Sequence, residues 1–343
     1  MVSVRTKNLI ATLGAIATVI APGVAIHARE IVIEAPRVRG SQIYSNYWQD
    51  AQLYGILRGH LNWVNAVAIS PSGQTLISGS RDNSIKLWNL STGRVRGSLN
   101  GHSRAVMSLA VSPSGQLLAS GSEDRTIKIW NLSTGQIART LNGHSDAIVS
   151  LAVSPSGRTL VSGSLDHTIK IWDIYTGREI RTLAGHTDSV NSVAISPDGR
   201  TIVSGSQDKA IKVWDFSTGQ EIRTLKKHVN WVNSVAISSD GQTLVSGSSD
   251  HTLKVWNLST GRLLRTLKGH LDLIYAIALS PDGESVASAS QDGTIKIWAL
   301  NTGKEIRTLS GYSSSVYALT ISQDGRTLAS GSYDNTIKVW RVK

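Results

Sequence analysis

The chain has 343 residues, of which 40% are hydrophobic and 17% charged, and it carries a formal net charge of +11 at neutral pH. Such a balance belongs to a folded globular protein rather than a disordered one. There is no cysteine, which excludes disulfides, thiolate metal sites, a thiol nucleophile and a lipid anchor on an N-terminal cysteine.

Residues 1–28 are a different material from the rest. Arg5 and Lys7 precede an apolar run from Leu9 to Ile26, broken only by Pro22, and small-residue exits follow at Gly23-Val24-Ala25 and Ala28. This is the tripartite pattern of a secretory signal peptide. The run is also near the lower limit for a spanning helix of about 20 residues, so an uncleaved N-terminal membrane anchor is the second reading and an incidental leader the third. Either of the first two places the remainder outside the cytoplasm, periplasmic, secreted or tethered.

Residues 29–52 match nothing else in the chain. Pro36, Gly40 and Ser41 suggest a linker, while Tyr44, Tyr47 and Trp48 are more aromatic than a free linker needs and predict packing against the surface of the domain that begins at residue 53.

From residue 53 to the C-terminus one unit recurs. His60, His102, His144, His186, His228 and His270 stand 42 residues apart with Tyr312 in seventh place, and Trp88, Trp130, Trp172, Trp214, Trp256, Trp298 and Trp340 keep step. A period of 40 to 45 with turn signals between short β-rich runs is the signature of a propeller, whose repeats supply about four strands each. In the third repeat the predicted strands are Ile148 to Ser154, Thr159 to Ser164, Thr168 to Asp173 and Glu179 to Leu183. Glycine recurs in the first turn as Gly73, Gly115, Gly157, Gly199, Gly241, Gly283 and Gly325, where positive φ costs it nothing. Inner strands such as Ala66-Val67-Ala68-Ile69 are apolar on both faces, as a sheet between two neighbours requires.

The two ends of this array complement each other. Gly55-Ile56-Leu57-Arg58 has the character of a repeat's last strand, yet no repeat precedes it, and the seventh repeat stops at Trp340-Arg341-Val342-Lys343, one strand short. The N-terminal strand is therefore expected to complete the last blade and leave no open sheet edge.

Gly-His, Ser-Pro-Asp-Gly or Ser-Pro-Ser-Gly, Ser-Gly-Ser-x-Asp, Ile-Lys-Ile-Trp and Trp-Asp or Trp-Asn recur in that order along residues 53–343. In these motifs the array resembles the WD40 repeat family. The resemblance implies an all-β, seven-bladed β-propeller in which a histidine, a serine, an aspartate and a tryptophan form a hydrogen-bonded tetrad in each blade. Carried over, the tetrads are His60, Ser78, Asp82 and Trp88; His102, Ser120, Asp124 and Trp130; His144, Ser162, Asp166 and Trp172; His186, Ser204, Asp208 and Trp214; His228, Ser246, Asp250 and Trp256; and His270, Ser288, Asp292 and Trp298. In the third blade Ser164 is the alternative serine. The chain departs from the pattern at Lys227, Tyr312, Ala299 and Arg341.

Histidine, serine and aspartate are also the residue types of a hydrolase triad. Catalysis needs one exposed constellation, whereas this one is repeated six times, which marks it as structural. His167 and His251 fall in turns of different blades and are read as solvated turn residues rather than a metal pair. No phosphate loop or HExxH motif is present, and neither cofactor nor metal is expected.

Function is then sought where the repeats differ. Three positions vary: the third residue after Gly-His, the fifth, and the residue before the turn aspartate. The resemblance implies that they look onto the top face around the central channel. Blades five, six, seven and one place Trp231, Leu273, Tyr275, Tyr317, Tyr333, Trp63 and Arg81 there, an expected aromatic arc with a cation beside it, while blades two to four offer mainly small or aliphatic groups. Aromatics with arginine make binding hot spots, so the arc is the candidate site for a protein or peptide partner.

The cations are dispersed. Seven are the repeat lysines Lys86, Lys128, Lys170, Lys212, Lys254, Lys296 and Lys338, and many others fall on outer strands. This is unlike the single stripe that grips a phosphate backbone, so nucleic acid is not the expected partner; an anionic membrane or envelope polymer suits a basic rim better. The reading is thus a non-catalytic interaction scaffold, exported or membrane-tethered. Two other classes stand beside it: a carbohydrate-binding module with Trp63 and Trp231 as stacking platforms, and a hydrolase or lyase with a channel site, which needs a singular polar cluster that the sequence does not offer.

Overall fold

Each repeat folds as its alternation and turn residues dictate. The computed structural model describes residues 48–342; the leader of residues 1–28 and the linker residues 29–47 lie outside the described residues. Among the described residues no helix is long and apolar enough to cross a membrane.

The first repeat runs as four antiparallel strands, Val64–Ile69, Thr75–Ser80, Ile85–Asn89 and Val95–Leu99, paired in sequence order. Five further sheets repeat this plan. In the third blade the strands are Ile148–Val153, Thr159–Ser164, Ile169–Asp173 and Glu179–Leu183, within one residue of the expected limits. The turn glycines take φ of 70 to 71°, as at Gly73 and Gly157.

The seventh sheet is assembled from both ends. Gln52–Arg58 lies outermost, antiparallel to Thr336–Arg341, with Gly55 opposite Val339 and Ile56 opposite Lys338. The inner strand of each blade packs beside that of the next, and Val64–Ile69 of blade one packs beside Val316–Ile321 of blade seven, so the ring of seven is closed. Closure removes the free edge that an open array would present.

The core lies between blades rather than within them. Val203, Ile211, Val213 and Leu225 of blade four form one buried cluster with Val232, Val235, Leu244 and Trp256 of blade five, and the other interfaces repeat the arrangement. A fully buried side chain of this size contributes about 1.5–3 kcal/mol, so each blade depends on its neighbours. The glycine of Ser-Gly-Ser sets the approach: a Cβ on Gly205 would stand 2.6 Å from Val232 Cγ1. Trp48, in the short 3-10 turn Trp48–Asp50, is only 3% exposed and joins the cluster of Leu309, Trp340 and Val342 between blades six and seven.

Candidate functional site

Six tetrads anchor the loops that carry the variable positions, each tying its histidine and the next amide to the turn aspartate. In blade one His60 Nδ1 lies 2.8 Å from Asp82, His60 Nε2 lies 2.7 Å from Ser78 Oγ, and Trp88 Nε1 donates to the same Oγ at 2.8 Å. The same links recur in blades two to six. In blade three it is Ser162 that bridges, while Ser164 Oγ donates to Asp146 O.

Donor chemistry fixes the proton order. An indole N–H can only donate, so the serine accepts from it and donates to Nε2, and Nδ1–H is left for the carboxylate. Burial would raise each tetrad carboxyl, yet hydrogen bonds from the histidine and from the turn hold all six below the usual range, Asp208 and Asp292 at about 2. Burial pushes the His102 and His270 rings below their ordinary value, against the pull of Asp124 and Asp292. The serines are fully buried and the histidine side chains at most 1% exposed, so no tetrad presents its serine to a substrate.

Blade seven departs from this plan. The Tyr312 hydroxyl contacts Ser330 Oγ, Trp340 Nε1 makes no bond to Ser330, and among the described residues the Asp334 carboxylate bonds only Thr336. Lys338 Nζ sits 3.4 Å from the Tyr312 ring centroid and donates to Gly311 O. Burial raises the Tyr312 phenol and lowers the Lys338 amine.

The variable positions are brought together by the backbone. In every blade the amide before the turn aspartate donates to the carbonyl of the third residue after the tetrad position: Arg81 to Trp63, Ser249 to Trp231, Gln291 to Leu273 and Tyr333 to Ser315, at 2.9 to 3.0 Å. The fifth residue reaches the next blade, as Asn233 Nδ2 does to Ile274 O. The three positions therefore share one face around the ring.

On that face Trp63, Tyr333, Tyr317 and Tyr275 form one cluster. The ring centroids of Trp63 and Tyr333 are 4.2 Å apart, those of Trp63 and Tyr317 6.0 Å, and those of Tyr317 and Tyr275 4.8 Å. The Arg81 guanidinium lies 4.6 Å from the Trp63 centroid, and Arg81 forms no ion pair among the described residues. Burial pushes the Tyr275 phenol up to about 12 and raises Tyr317, so both remain neutral hydroxyls at physiological pH.

The expected arc is interrupted at blade five. Trp231 is 45% exposed and is in ring contact with no other residue of the set, because the preceding blade carries Asn191 and Gln207, bonded to each other, where blade seven offers Tyr317 and Tyr333 to Trp63. Leu273 sits half-buried on the loop that leads into the strand Ile274–Leu279 of blade six. Among the described residues no group of three or more histidines and carboxylates could hold a metal ion, and His167 and His251 occupy exposed turns.

The repeat lysines prove less free than a basic rim requires. Lys170, Lys212 and Lys296 pair with Glu179, Glu221 and Glu305 of their own outer strands at 2.6 to 2.9 Å, and Lys254 and Lys338 are buried. Leu61, Val229 and Leu271, which follow the tetrad histidines of blades one, five and six, are 76 to 87% exposed and lie outside the set of site residues expected from the sequence. The signal was present in the repeats, where other blades carry serine or threonine there.

Comparison with known proteins agrees with this geometry at the level of the repeat. Residues 43–214 and 108–258 match the profile described as the WDR3 first beta-propeller domain, and residues 261–299 and 303–341 each match the WD domain, G-beta repeat. Among curated proteins the chain is similar to human Pleiotropic regulator 1 (40% identical over 45 residues, 13% of this chain and 9% of that protein). It is similar also to the Pre-mRNA-splicing factor PRP46 of Yarrowia lipolytica (40% over 45 residues, 13% and 10%) and to Protein pleiotropic regulator PRL2 of Arabidopsis thaliana (48% over 40 residues, 12% and 8%). The chain thus spans about a tenth of the length of these relatives, a stretch the size of one blade. Seven paired sheets, six complete tetrads and profile matches running from residue 43 to residue 341 converge on one conclusion: the chain belongs to the WD40 repeat family.

Proposed function

We propose that this propeller is a non-catalytic scaffold that binds a protein or peptide through the top face of blades six, seven and one. The observation that carries the reading is the joined cluster of Trp63, Tyr333, Tyr317 and Tyr275 with the Arg81 guanidinium beside it. Large, conformationally stiff rings with an unpaired arginine are what binding hot spots are made of. The matched relatives are named as regulators and splicing factors rather than enzymes, and the sealed tetrads support the same reading. The apolar stretch of residues 9–26 supports a location outside the cytoplasm, which mass spectrometry of the mature N-terminus tests.

The binding test compares affinity capture by the full chain and by Trp63→Ala with Tyr333→Ala, with folding checked by circular dichroism. Loss of about tenfold or more in affinity for the captured partner is expected. Unchanged affinity would place the partner elsewhere on the molecule.

A further inference from the structure

We propose that the loop tips of blades one, five and six, where an exposed aliphatic side chain stands three residues after an unpaired cation, across a tetrad histidine, form a docking surface for an anionic lipid bilayer. The inference goes beyond the protein-binding reading and does not require it.

The tips are Arg58-Gly59-His60-Leu61, Lys226-Lys227-His228-Val229 and Lys268-Gly269-His270-Leu271. The corresponding segments of the other blades are Asn100 to Ser103, Asn142 to Ser145, Ala184 to Thr187 and Ser310 to Ser313, neutral before the histidine or tyrosine and small and polar after it. Cation and aliphatic residue therefore occur together in three blades and are both missing in four. The scaffold under them does not differ: the tetrad aspartate accepts the amide of Leu61, Val229 and Leu271 at 2.9, 3.1 and 3.0 Å, as it accepts Ser103 and Ser145 at 3.0 Å. That bond holds the backbone and turns the side chain outward. Leu61 is 87% exposed, Leu271 85% and Val229 76%.

Three aliphatic side chains this exposed gain nothing from the fold, and they stand on loops between strands. Side chains so exposed on loops suit insertion among acyl chains. Arg58, Lys226, Lys227 and Lys268 are exposed and form no ion pair among the described residues. A cation near an anionic leaflet is drawn to it, and the exposed Trp231 is the ring type that settles at the headgroup level. From the cation to the third residue after it the three loops, extended to Trp63, Trp231 and Leu273, carry one carboxylate, Asp272, whose oxygen caps the Leu273 amide. The other four carry Asp146 and Asp188 against the single cation Arg104. Charge and apolar surface thus select the same side of the ring.

The test is co-sedimentation of the full chain with vesicles of equal parts phosphatidylglycerol and phosphatidylcholine, against phosphatidylcholine alone. One variant combines Leu61→Ser, Val229→Thr and Leu271→Ser, and the other Arg58→Asn, Lys226→Asn and Lys268→Asn. Every substitution copies a residue that another blade carries at that position, so folding is expected to survive, and the N-terminal stretch is common to all three proteins. The wild type should prefer the anionic vesicles. The charge variant should bind them about a hundredfold more weakly at low salt, and the aliphatic variant about tenfold more weakly. Equal binding by all three proteins, or equal binding of the wild type to both vesicle types, would overturn the proposal. So would variants that keep vesicle binding and lose an acidic protein partner instead.

Discussion

The Arg341 guanidinium lies 3.7 Å from the centre of the Tyr54 ring, and this contact fastens the ends of the propeller together. Tyr54 stands at the irregularity between Leu53 and Gly55 in the closing strand, where the pairing register shifts. From there its hydroxyl reaches Ser91 O at 3.2 Å, while Arg341 Nη2 donates to Leu90 O at 2.9 Å. First strand, last strand and blade one meet at this point. A double-mutant cycle with Tyr54→Ala and Arg341→Ala, read by urea denaturation, should give a coupling of about 0.5–1 kcal/mol, the range of an exposed cation–π pair. A coupling of zero would leave closure to the strand ladder alone.

The tetrads predict an acid limb of stability with a known sign. The folded values of His102 and His270 lie below the ordinary value of about 6.5, so the neutral ring is the native form and stability declines as pH falls below that value. The six tetrad carboxyls lie below their ordinary value of about 4, so their contribution is complete above it and is lost as pH falls towards 2. Urea midpoints should be level from pH 7 to 8, fall gently below about 6.5 and steeply below about 4. Asp208→Asn should lower the midpoint at neutral pH and make the steep limb shallower. A midpoint that rises on acidification would contradict the assignment.

The same chemistry ranks serine substitutions. Ser204→Ala strands both His186 Nε2 and Trp214 Nε1 in the core, at about 1–3 kcal/mol for each buried group left unpaired. Ser330→Ala in blade seven removes only the contact with the Tyr312 hydroxyl, since Trp340 Nε1 makes no bond to Ser330. The blade-four variant should therefore be the less stable by at least about 1 kcal/mol. Equal losses would mean that the seventh blade has a bonded network of its own.

Periodicity made most of the fold legible in the chain. A repeat of 42 residues places His144, Ser162, Asp166 and Trp172 at fixed offsets, and because the blades are built alike the same offsets hold around the ring. The closing strand was legible for a related reason: Gly55 to Arg58 has no repeat before it and Trp340 no strand after it. Contacts between non-identical positions were less accessible. Trp231 and Trp63 occupy equivalent sites, but only Trp63 has rings beside it, because the preceding blade offers Tyr317 and Tyr333 to Trp63 and Asn191 and Gln207 to Trp231. Trp48 lies outside the repeats, and no periodic signal announces that it fills the seam between blades six and seven.

Backbone strain offers a route to a more stable propeller. Arg125, His167 and Lys209, each exposed and following a tetrad aspartate, hold φ of 68 to 70°, where blade six has Gly293 at 76°. A side chain there costs about 1–2 kcal/mol, partly offset by the freedom that glycine gains in the unfolded chain. Arg125→Gly, His167→Gly and Lys209→Gly together should raise stability by about 1–2 kcal/mol, measured by urea denaturation. A loss would show that these side chains make contacts worth more than the strain.

The spacing between blades predicts the last outcome. A Cβ on Gly205 would stand 2.6 Å from Val232 Cγ1 and 3.1 Å from Val235 Cγ1, both buried side chains of the next blade with nowhere to retreat. Gly205→Ala should therefore cost about 1–3 kcal/mol through overpacking. Blade six carries Ala289 at the same position, fully buried, so its seam with blade seven accommodates the methyl that the blade-four seam cannot. The reverse change, Ala289→Gly, removes that methyl and adds backbone freedom, and should cost about 1 kcal/mol. Opposite substitutions at equivalent positions should both destabilise, each because its seam is packed to a different width. If Gly205→Ala proved neutral in urea denaturation, the glycine would reflect the shared repeat alone rather than close approach between blades.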